Sequence, residues 1–468
     1  MMTKWCNYKL LLPAMLVLVT TAIYPAGAIA HEPLRHLERA LERGEAGERA
    51  LARGLLDPVL ISPHISSGVR ARAYYARGLF HYLDGHWVSA GQDYRRALEF
   101  DPDLAPALNA LAWLHLHALG VSWQPERAIA LYERAARAGY SEAQYNLGLL
   151  LSQGRITQPD PARALPWFEA AAAQGHVEAM AQAGQLLLRN RPEGSYLSAV
   201  GRARTHFENA AHHGHLRAKL ELGIMLSQSP ESEQDSRAAA HWLQQAAAQG
   251  SATAQSRLGY LHLHGSGVVQ DAGLARQWFG EAARQGDLSA QVHLGWLFDR
   301  GIGGKADPER AFTWYRRAAQ RDHPTAQLNL ALLYQSGRGV RADSHQARYW
   351  FERAAAKGSE SARGALAWLL ATANDPSVRD PERAIELARQ AVADAPSASW
   401  LDTLAAALAT SGRFDDAILV QQQALDVLAA ESPPGEASPA ANQRSAFLGR
   451  LARYQAHKHW LDDSATNP

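Results

Sequence analysis

Residues 251–286 form a unit of 36 residues that recurs along the chain, and this recurrence constrains the fold more than any other feature of the sequence. A small residue opens each copy, and successive copies begin 36, 39, 36, 36, 36 and 36 residues apart. The opening residues are Ala143, Ala179, Ala218, Ala254, Ala290, Ala326 and Ala362. The chain is therefore a repeat array, in which each unit stacks on its neighbours.

Each copy predicts two helices joined by a glycine-containing turn. In residues 251–286, Ala254, Leu258 and Leu261 fall on one stripe of a first α-helix, and Gly259 lets a neighbouring helix come close. Asp271 is an N-cap for a second helix. The residues expected to face inward from that helix are Ala275, Trp278, Phe279 and Ala282. The unit is a helical hairpin.

The recurring pattern A-x-x-x-L-G-x-x-(Y/H)-x-x-G-x-G-V-x-x-D-x-x-x-A-x-x-W-(F/Y)-x-x-A-A-x-x-G resembles the Sel1-like repeat, a short relative of the tetratricopeptide repeat. It covers residues 104–358 as seven repeats, and the copies at 176–214 and 215–250 depart from it in their turns. The resemblance implies an all-α fold, a right-handed α-solenoid (superhelix) of helix-turn-helix repeats.

The segments on either side of this array have a different character. Residues 31–68 predict a capping helix and a linker, and residues 69–103 resemble an ordinary tetratricopeptide unit. Residues 359–430 resemble a C-terminal tetratricopeptide module, and residues 431–468 predict a proline-rich linker and a final capping helix. Longer, more polar units at both ends are what a solenoid needs to close its apolar stack.

The N-terminus has the order of residues found in a secretory signal peptide. Lys4 and Lys9 precede an uncharged run over residues 10–30, which ends in an A-x-A sequence at Ala30. The alternative is an uncleaved inner-membrane anchor, because 21 apolar and small residues can just span a bilayer. Cys6 lies before the apolar run, where it cannot be the lipidated residue of a lipoprotein. We therefore expect a periplasmic or secreted protein.

Composition argues against nucleic-acid binding. The whole chain carries 47 basic and 46 acidic residues, and residues 31–468 carry 45 and 46. The mature chain is thus close to neutral, which gives no electrostatic preference for a polyanion. The protein is expected to touch a membrane only transiently, through the signal peptide.

No catalytic motif stands out from the repeat pattern, so we predict no enzyme activity, no cofactor and no metal. Histidines 206, 212, 213 and 215 cluster at one repeat junction, but the sequence shows no carboxylate partner for them and favours surface residues. Tryptophans 167, 242, 278, 314 and 350 occupy one repeat position, which favours core packing over a sugar-stacking ladder.

A second stripe of the first helices remains for function. Counting the opening alanine as position 3, positions 6 and 9 lie well away from the packing stripe, and tetratricopeptide-like superhelices line their concave groove with this stripe. The predicted partner-binding residues are Asn146, Gln182, Arg257, Tyr260, His293, Trp296 and Asn329. This mixture of aromatic, amide and cationic side chains suits peptide recognition, although an ordinary polar face fits it equally well.

The function predicted from these features is a non-catalytic protein–protein interaction scaffold or adaptor in the bacterial cell envelope. The partner is a protein or peptide bound in the concave groove. The alternative is a factor associated with carbohydrate or exopolysaccharide, since some proteins of these repeat families serve polymer export. Rings exposed in a row favour sugar, and amides and arginine favour peptide.

We predict that the mature protein begins at His31, because signal peptidase cleaves after small residues such as Ala28 and Ala30. Mass spectrometry of the protein from a fractionated bacterial host should find this N-terminus in the periplasmic fraction. Recovery of Met1 in the membrane fraction would contradict the prediction and support the anchor.

Overall fold

The computed structural model describes residues 31–154, 158–190, 196–228, 232–431 and 439–458. Within these ranges the chain forms α-helices and turns and has no β-strand, which confirms the predicted all-α repeat solenoid. The predicted signal peptide lies outside the described residues, as do residues 432–438 of the C-terminal linker and the divergent turn residues 191–195 and 229–231.

The chain divides into two compact units, Met1–Leu222 and Gly223–Pro468. The helices of the first unit are α1 (His31–Glu45), α2 (Arg49–Ile61), α3 (Ser67–Leu83), α4 (Trp87–Phe100), α5 (Ala105–His117), α6 (Pro125–Arg137), α7 (Ser141–Gln153), α8 (Pro161–Ala173), α9 (Val177–Arg189) and α10 (Tyr196–His212). Helix α11 (Leu216–Gln228) spans the division.

The helices of the second unit are α12 (Glu233–Ala248), α13 (Ala252–His264), α14 (Ala272–Arg284), α15 (Leu288–Arg300), α16 (Pro308–Ala319), α17 (Pro324–Ser336), α18 (Ser344–Ala356), α19 (Glu360–Thr372), α20 (Pro381–Asp394), α21 (Ala398–Thr410), α22 (Phe414–Glu431) and α23 (Pro439–Gln455). Consecutive helices pack as antiparallel hairpins, for example α13 with α14 and α15 with α16. None of the helices in the described ranges is both long and apolar enough to cross a membrane.

Side-chain caps begin most of the hairpin helices. The carboxylates of Asp160, Asp307 and Asp380 each accept a hydrogen bond from the backbone N–H three residues later, and a proline follows each aspartate at the first helical position. Asp271 caps α14 in the same way, accepting from the N–H of Leu274 at 2.8 Å. The N-cap predicted at Asp271 is therefore confirmed, and aspartate begins three other second helices in the same way.

The G-x-G turn joins consecutive repeats as well as the two helices of one repeat. Gly265 ends α13 in the left-handed conformation, with φ of 71°. Gly267 also has positive φ, and a Cβ there would lie 2.0 Å from the carbonyl oxygen of Ser236 in α12. A Cβ on Gly303 or on Gly339 would lie 2.2 Å from a backbone carbonyl oxygen in the first turn of α14 or α16, respectively. Each turn thus rests on the second helix of the preceding repeat, where only glycine fits.

In most repeats the first helix contains a glycine that faces a large side chain of the second helix, and in α17 Ala331 takes its place. A Cβ on Gly295 would come 2.7 Å from the Tyr315 ring, and a Cβ on Gly259 would come 3.0 Å from the Phe279 ring. The prediction that Gly259 allows a close approach is confirmed. The missing side chain leaves room for a ring at the centre of the hairpin.

The tryptophans of the second helices are only partly core residues, so their predicted burial is wrong for three of the five. Trp242 and Trp350 are buried, whereas Trp167, Trp278 and Trp314 are half-buried. The next residue in each repeat is the fully buried one, and Phe279 is 0% exposed. One residue turns a helix by about 100°, so the inward position belongs to one member of each pair.

Buried glutamines form a polar line that the sequence pattern did not predict. The amide of Gln255 donates to the carbonyl of Ala247 at 3.2 Å, and its oxygen accepts from the amide of Gln285 at 2.7 Å. The amide of Gln291 donates in the same way to the carbonyl of Ala283 at 3.2 Å, but Arg321 occupies the position that corresponds to Gln285. The repeats are therefore joined by hydrogen bonds through their interior as well as by apolar packing.

The final helix is held by a buried ion pair. The guanidinium of Arg450 in α23 contacts both carboxylate oxygens of Asp402 in α21, at 2.7 and 2.8 Å. The amide of Gln421 also donates to Asp402, at 2.8 Å. Burial raises the pKa of Asp402, and the adjacent guanidinium opposes that rise. The C-terminal helix is therefore attached through an ion pair that is buried from solvent.

Phe279→Ala should destabilise the array by about 3–5 kcal/mol, because it removes a fully buried ring and leaves a cavity beside Gly259. Trp278→Ala, one residue earlier, should cost only about 1 kcal/mol, because Trp278 is only partly buried. Chemical denaturation of the two variants and the wild type measures the difference. Equal losses would contradict this assignment of the core residue.

Arg450→Met should release α23, because it leaves the Asp402 carboxylate buried without its counter-ion; breaking such pairs costs about 3–5 kcal/mol. Asp402→Leu combined with Arg450→Met should recover most of this loss, since no charge then remains buried. Hydrogen exchange at residues 439–455 reports the effect. A double variant no better protected than Arg450→Met would show that the charge pair is not what holds the helix.

Candidate functional site

The candidate site is a face shared by the first helices of three consecutive repeats in the second unit, α13, α15 and α17. Residues spaced three and then four apart lie on one side of a helix, so each helix contributes three side chains. We call this set the nine-residue face. Its members are Arg257, Tyr260 and His264, then His293, Trp296 and Arg300, then Asn329, Leu332 and Ser336.

A row of exposed apolar side chains runs along the middle of this face. Tyr260 is 48% exposed, Trp296 is 38% exposed and Leu332 is 41% exposed, and the three lie 36 residues apart. The next member, Trp368, is half-buried, with the Arg450 guanidinium carbon 5.4 Å from its ring centre. The open row therefore ends where the C-terminal helix begins to cover it.

The same repeat position is closed in part of the first unit. Leu149, which occupies it in α7, is only 8% exposed and belongs to the core of that unit. Solvent-exposed apolar side chains in consecutive repeats thus distinguish α13, α15 and α17. Large side chains left in water in a continuous series are typical of a binding surface.

Ring contacts join neighbouring helices of the face. The Tyr260 ring lies 4.3 Å from the His264 ring and 6.4 Å from the His293 ring of the next repeat. The His293 ring in turn stacks on the buried Phe279 ring, at 4.9 Å with the planes 3° apart. The structure thus brings Tyr260 and His293 together, as the sequence predicted for residues of adjacent repeats.

His293 also contributes to packing, although its position lies away from the packing stripe predicted from the sequence. Its Nδ1 lies 2.8 Å from the carbonyl oxygen of Ser289, and its ring covers Phe279. Stacking and a backbone hydrogen bond fix the orientation of the His293 ring. This fixed ring contacts Tyr260, whereas Tyr260 and Trp296 themselves are the residues that expose large surfaces to solvent.

The amide members of the predicted site are half-buried, and two of them are hydrogen-bonded. Asn329 bonds to the hydroxyl of Tyr315, whose pKa is raised mainly by burial. Asn146 donates to the side-chain oxygen of Asn109 in the preceding repeat, at 3.0 Å. Gln182 is half-buried in α9. Asn146 and Gln182 belong to the first unit, and the other five predicted residues belong to the second.

Two cations flank the apolar row. Arg257 lies one turn before Tyr260, and Arg300 lies one turn after Trp296. Both are exposed, and neither forms an ion pair within the described ranges. By contrast, Arg284 on the second helix α14 is bound to Glu281. The nine-residue face contains no carboxylate, so its charge is positive.

Leu332 and Arg300 were not among the predicted site residues. Their signal in the sequence is the register alone, since Leu332 follows Trp296 by one repeat and Arg300 follows it by one turn. A single leucine or arginine on a helix is common in a sequence and does not indicate a site. Leu332 and Arg300 are assigned to the face because the structure shows both exposed in the same register as Tyr260 and Trp296.

The histidine cluster of the first unit has other roles. The Nε2 atom of His206 lies 3.4 Å from Glu169, a carboxylate partner that the sequence did not indicate. His215 accepts a hydrogen bond from the N–H of Ala218 at 3.0 Å, as an N-cap, and burial lowers its pKa. In the part of the chain that the structure describes, no group of three or more histidine, cysteine or acidic side chains is arranged to hold a metal ion.

Solved structures with the same architecture are known. A protective antigen from uropathogenic Escherichia coli, described as displaying an SLR fold, is 24% identical to the chain, with a TM-score of 0.64, over 90% of this chain and 92% of the antigen. A Sel1 repeat protein from Oxalobacter formigenes is 25% identical over 74% of this chain and 96% of its own length, with a TM-score of 0.49. The first likeness supports the fold alone. No curated protein sequence matches the chain.

The model of the Sel1 repeat family matches the chain in eight segments that together cover more than half of its length. The matched segments are residues 71–100, 105–140, 141–176, 216–251, 252–287, 288–323, 324–359 and 365–394. They extend into the two end regions that resemble tetratricopeptide units and leave out the divergent copy after residue 176. The chain therefore belongs to the Sel1 repeat family.

Proposed function

We propose that this protein is a non-catalytic adaptor of the bacterial cell envelope that binds a partner protein on the nine-residue face. Sel1 repeat proteins generally mediate protein–protein interactions, and such repeat scaffolds are generally without catalytic activity. The proposal adds a place of action and a binding surface. The place follows from the signal-peptide order of residues 1–30.

The observation that carries the proposal is the open row of Tyr260, Trp296 and Leu332 between two unpaired arginines. Aromatic residues and arginine are the side chains that dominate binding energy at protein interfaces. Here Tyr260 and Trp296 stand on α13 and α15, each packed against its second helix through a glycine–ring contact. A surface held in this way loses little conformational entropy on binding.

Carbohydrate binding is the competing use of an exposed row of rings. Stacked sugars need flat, accessible ring faces and polar groups at their edges, and Leu332 interrupts the aromatic series with an aliphatic side chain. The unpaired guanidiniums instead suit carboxylates and backbone carbonyls of a protein. These two features support a protein partner.

Arg257→Ala combined with Trp296→Ala should weaken capture of the partner by about 2 kcal/mol or more, because both substitutions truncate anchors of the kind that dominate interfaces. The chain is used as bait in a bacterial envelope extract after gentle cross-linking, and the captured protein is identified by mass spectrometry. Its affinity for the wild type and for the double variant is then measured with purified components. Helicity and melting temperature should stay near those of the wild type.

The matched control is Arg284→Ala with Arg316→Ala, which removes two exposed arginines from the second helices α14 and α16. This control should bind like the wild type. Equal affinity of both double variants would place the partner elsewhere on the protein. Recovery of polysaccharide instead of protein, lost on Trp296→Ala, would favour the carbohydrate alternative.

A further inference from the structure

The nine-residue face has a charge pattern that restricts which partner it can accept, and this restriction rests on the proposed function. The four ionisable positions that surround the apolar row are Arg257, His264, His293 and Arg300. No aspartate or glutamate occupies any of the nine positions. The nearest carboxylate on these helices, Asp299, is largely buried and is bound to Arg338 at 2.6 Å.

The position of the two guanidiniums relative to the row matters as much as their sign. Arg257 lies on the N-terminal side of Tyr260 in α13, and Arg300 lies on the C-terminal side of Trp296 in α15. A ligand that covers the row therefore passes between two cations. A basic ligand would place like charges together in a partly desolvated interface, which costs several kcal/mol, whereas carboxylates on both flanks would be paired.

The cations on both sides of the apolar row indicate the backbone conformation of the ligand. A helix can carry charged residues on both flanks of its apolar stripe, so one helical segment can reach the row and both guanidiniums. An extended strand points successive side chains to two opposite faces, so charged residues between its apolar ones would face away from the row. In an α-helix, residues seven apart share one face. A helix with an apolar residue at every seventh position therefore suits the row and its two cations.

We propose that the nine-residue face binds an acidic amphipathic helix of a partner protein. Its apolar side chains at positions i, i+7 and i+14 contact Tyr260, Trp296 and Leu332, and its glutamates or aspartates on either side of that stripe pair with Arg257 and Arg300. The covered Trp368 sets the C-terminal limit of the contact, because Arg450 already lies over that ring. The open part of the row thus accommodates a segment of about four turns.

The test uses the full chain and two synthetic helical peptides of 18 residues. Both carry leucine at positions i, i+7 and i+14, and they differ only in having glutamate or lysine at every flanking position. Binding is followed by titration calorimetry and by Trp fluorescence at about 0.05 M ionic strength, where charge interactions are weakly screened. The glutamate peptide should bind at least about tenfold more tightly than the lysine peptide.

Charge reversal provides the specific control. Arg257→Glu with Arg300→Glu should invert the preference between the two peptides, and Trp296→Ala should weaken both peptides. Arg284→Glu with Arg316→Glu changes the net charge by the same amount on the second helices and should leave the preference as in the wild type. Raising the ionic strength to about 0.5 M should remove most of the preference.

Three results would overturn the proposal: no saturable binding of the glutamate peptide, equal binding of both peptides, or a preference that survives charge reversal at Arg257 and Arg300. Binding to vesicles containing anionic phosphatidylglycerol, with the same dependence on these arginines and no peptide binding, would also overturn it. If binding of a captured partner requires Trp296 but is unaffected by both charge-reversal variants, the proposed binding face is retained. Only the proposal that the ligand is an acidic helix is then rejected.

Discussion

The structure depends on a contact that recurs in most repeats, between a glycine in the first helix and a large side chain in the second. Gly259 with Phe279 and Gly295 with Tyr315 bring two helices close enough that the ring fills the space a Cβ would occupy. This contact sets the angle and depth of the hairpin, and the G-x-G turn then seats each hairpin on the preceding one. Repeating one local geometry builds the stack without a central core.

The same geometry leaves several positions on one face of the first helices with little part in packing. Leu258 and Leu261 are directed into the stack, so Arg257 and Tyr260, on other sides of the helix, contribute little to it. Positions that packing does not constrain can carry different side chains in different repeats. In the second unit, these positions of the first helices carry rings, an aliphatic side chain and unpaired arginines in consecutive repeats.

Much of the fold follows from the sequence because its signals are local and recur. The caps at Asp271 and Asp307 and the glycine at 259 each have a structural reason that a single unit reveals. Whether Trp278 or Phe279 fills the core does not follow, because both are large, apolar and adjacent. That choice depends on the exact rotation of α14 against α13, and the ring nearest Gly259 is buried.

The site was predictable in position and only partly in composition. Counting by repeats indicated Tyr260, His293 and Trp296 as members of the candidate face. It could not show that His293 also packs on Phe279, because that stacking depends on how two repeats contact each other. Exposure is also a tertiary property. Leu149 and Tyr260 share one repeat position, yet Leu149 is buried within the first unit.

The proposed binding face lies on the first helices, largely apart from the stripe that packs the stack. Oxidative footprinting of the full chain with and without its captured partner tests it directly. Tyr260 and Tyr349 are almost equally exposed, on a first and a second helix respectively. The partner should slow the oxidation of Tyr260 and Trp296 and leave the oxidation of Tyr349 unchanged. Protection of Tyr349 with Tyr260 and Trp296 still reactive would contradict it.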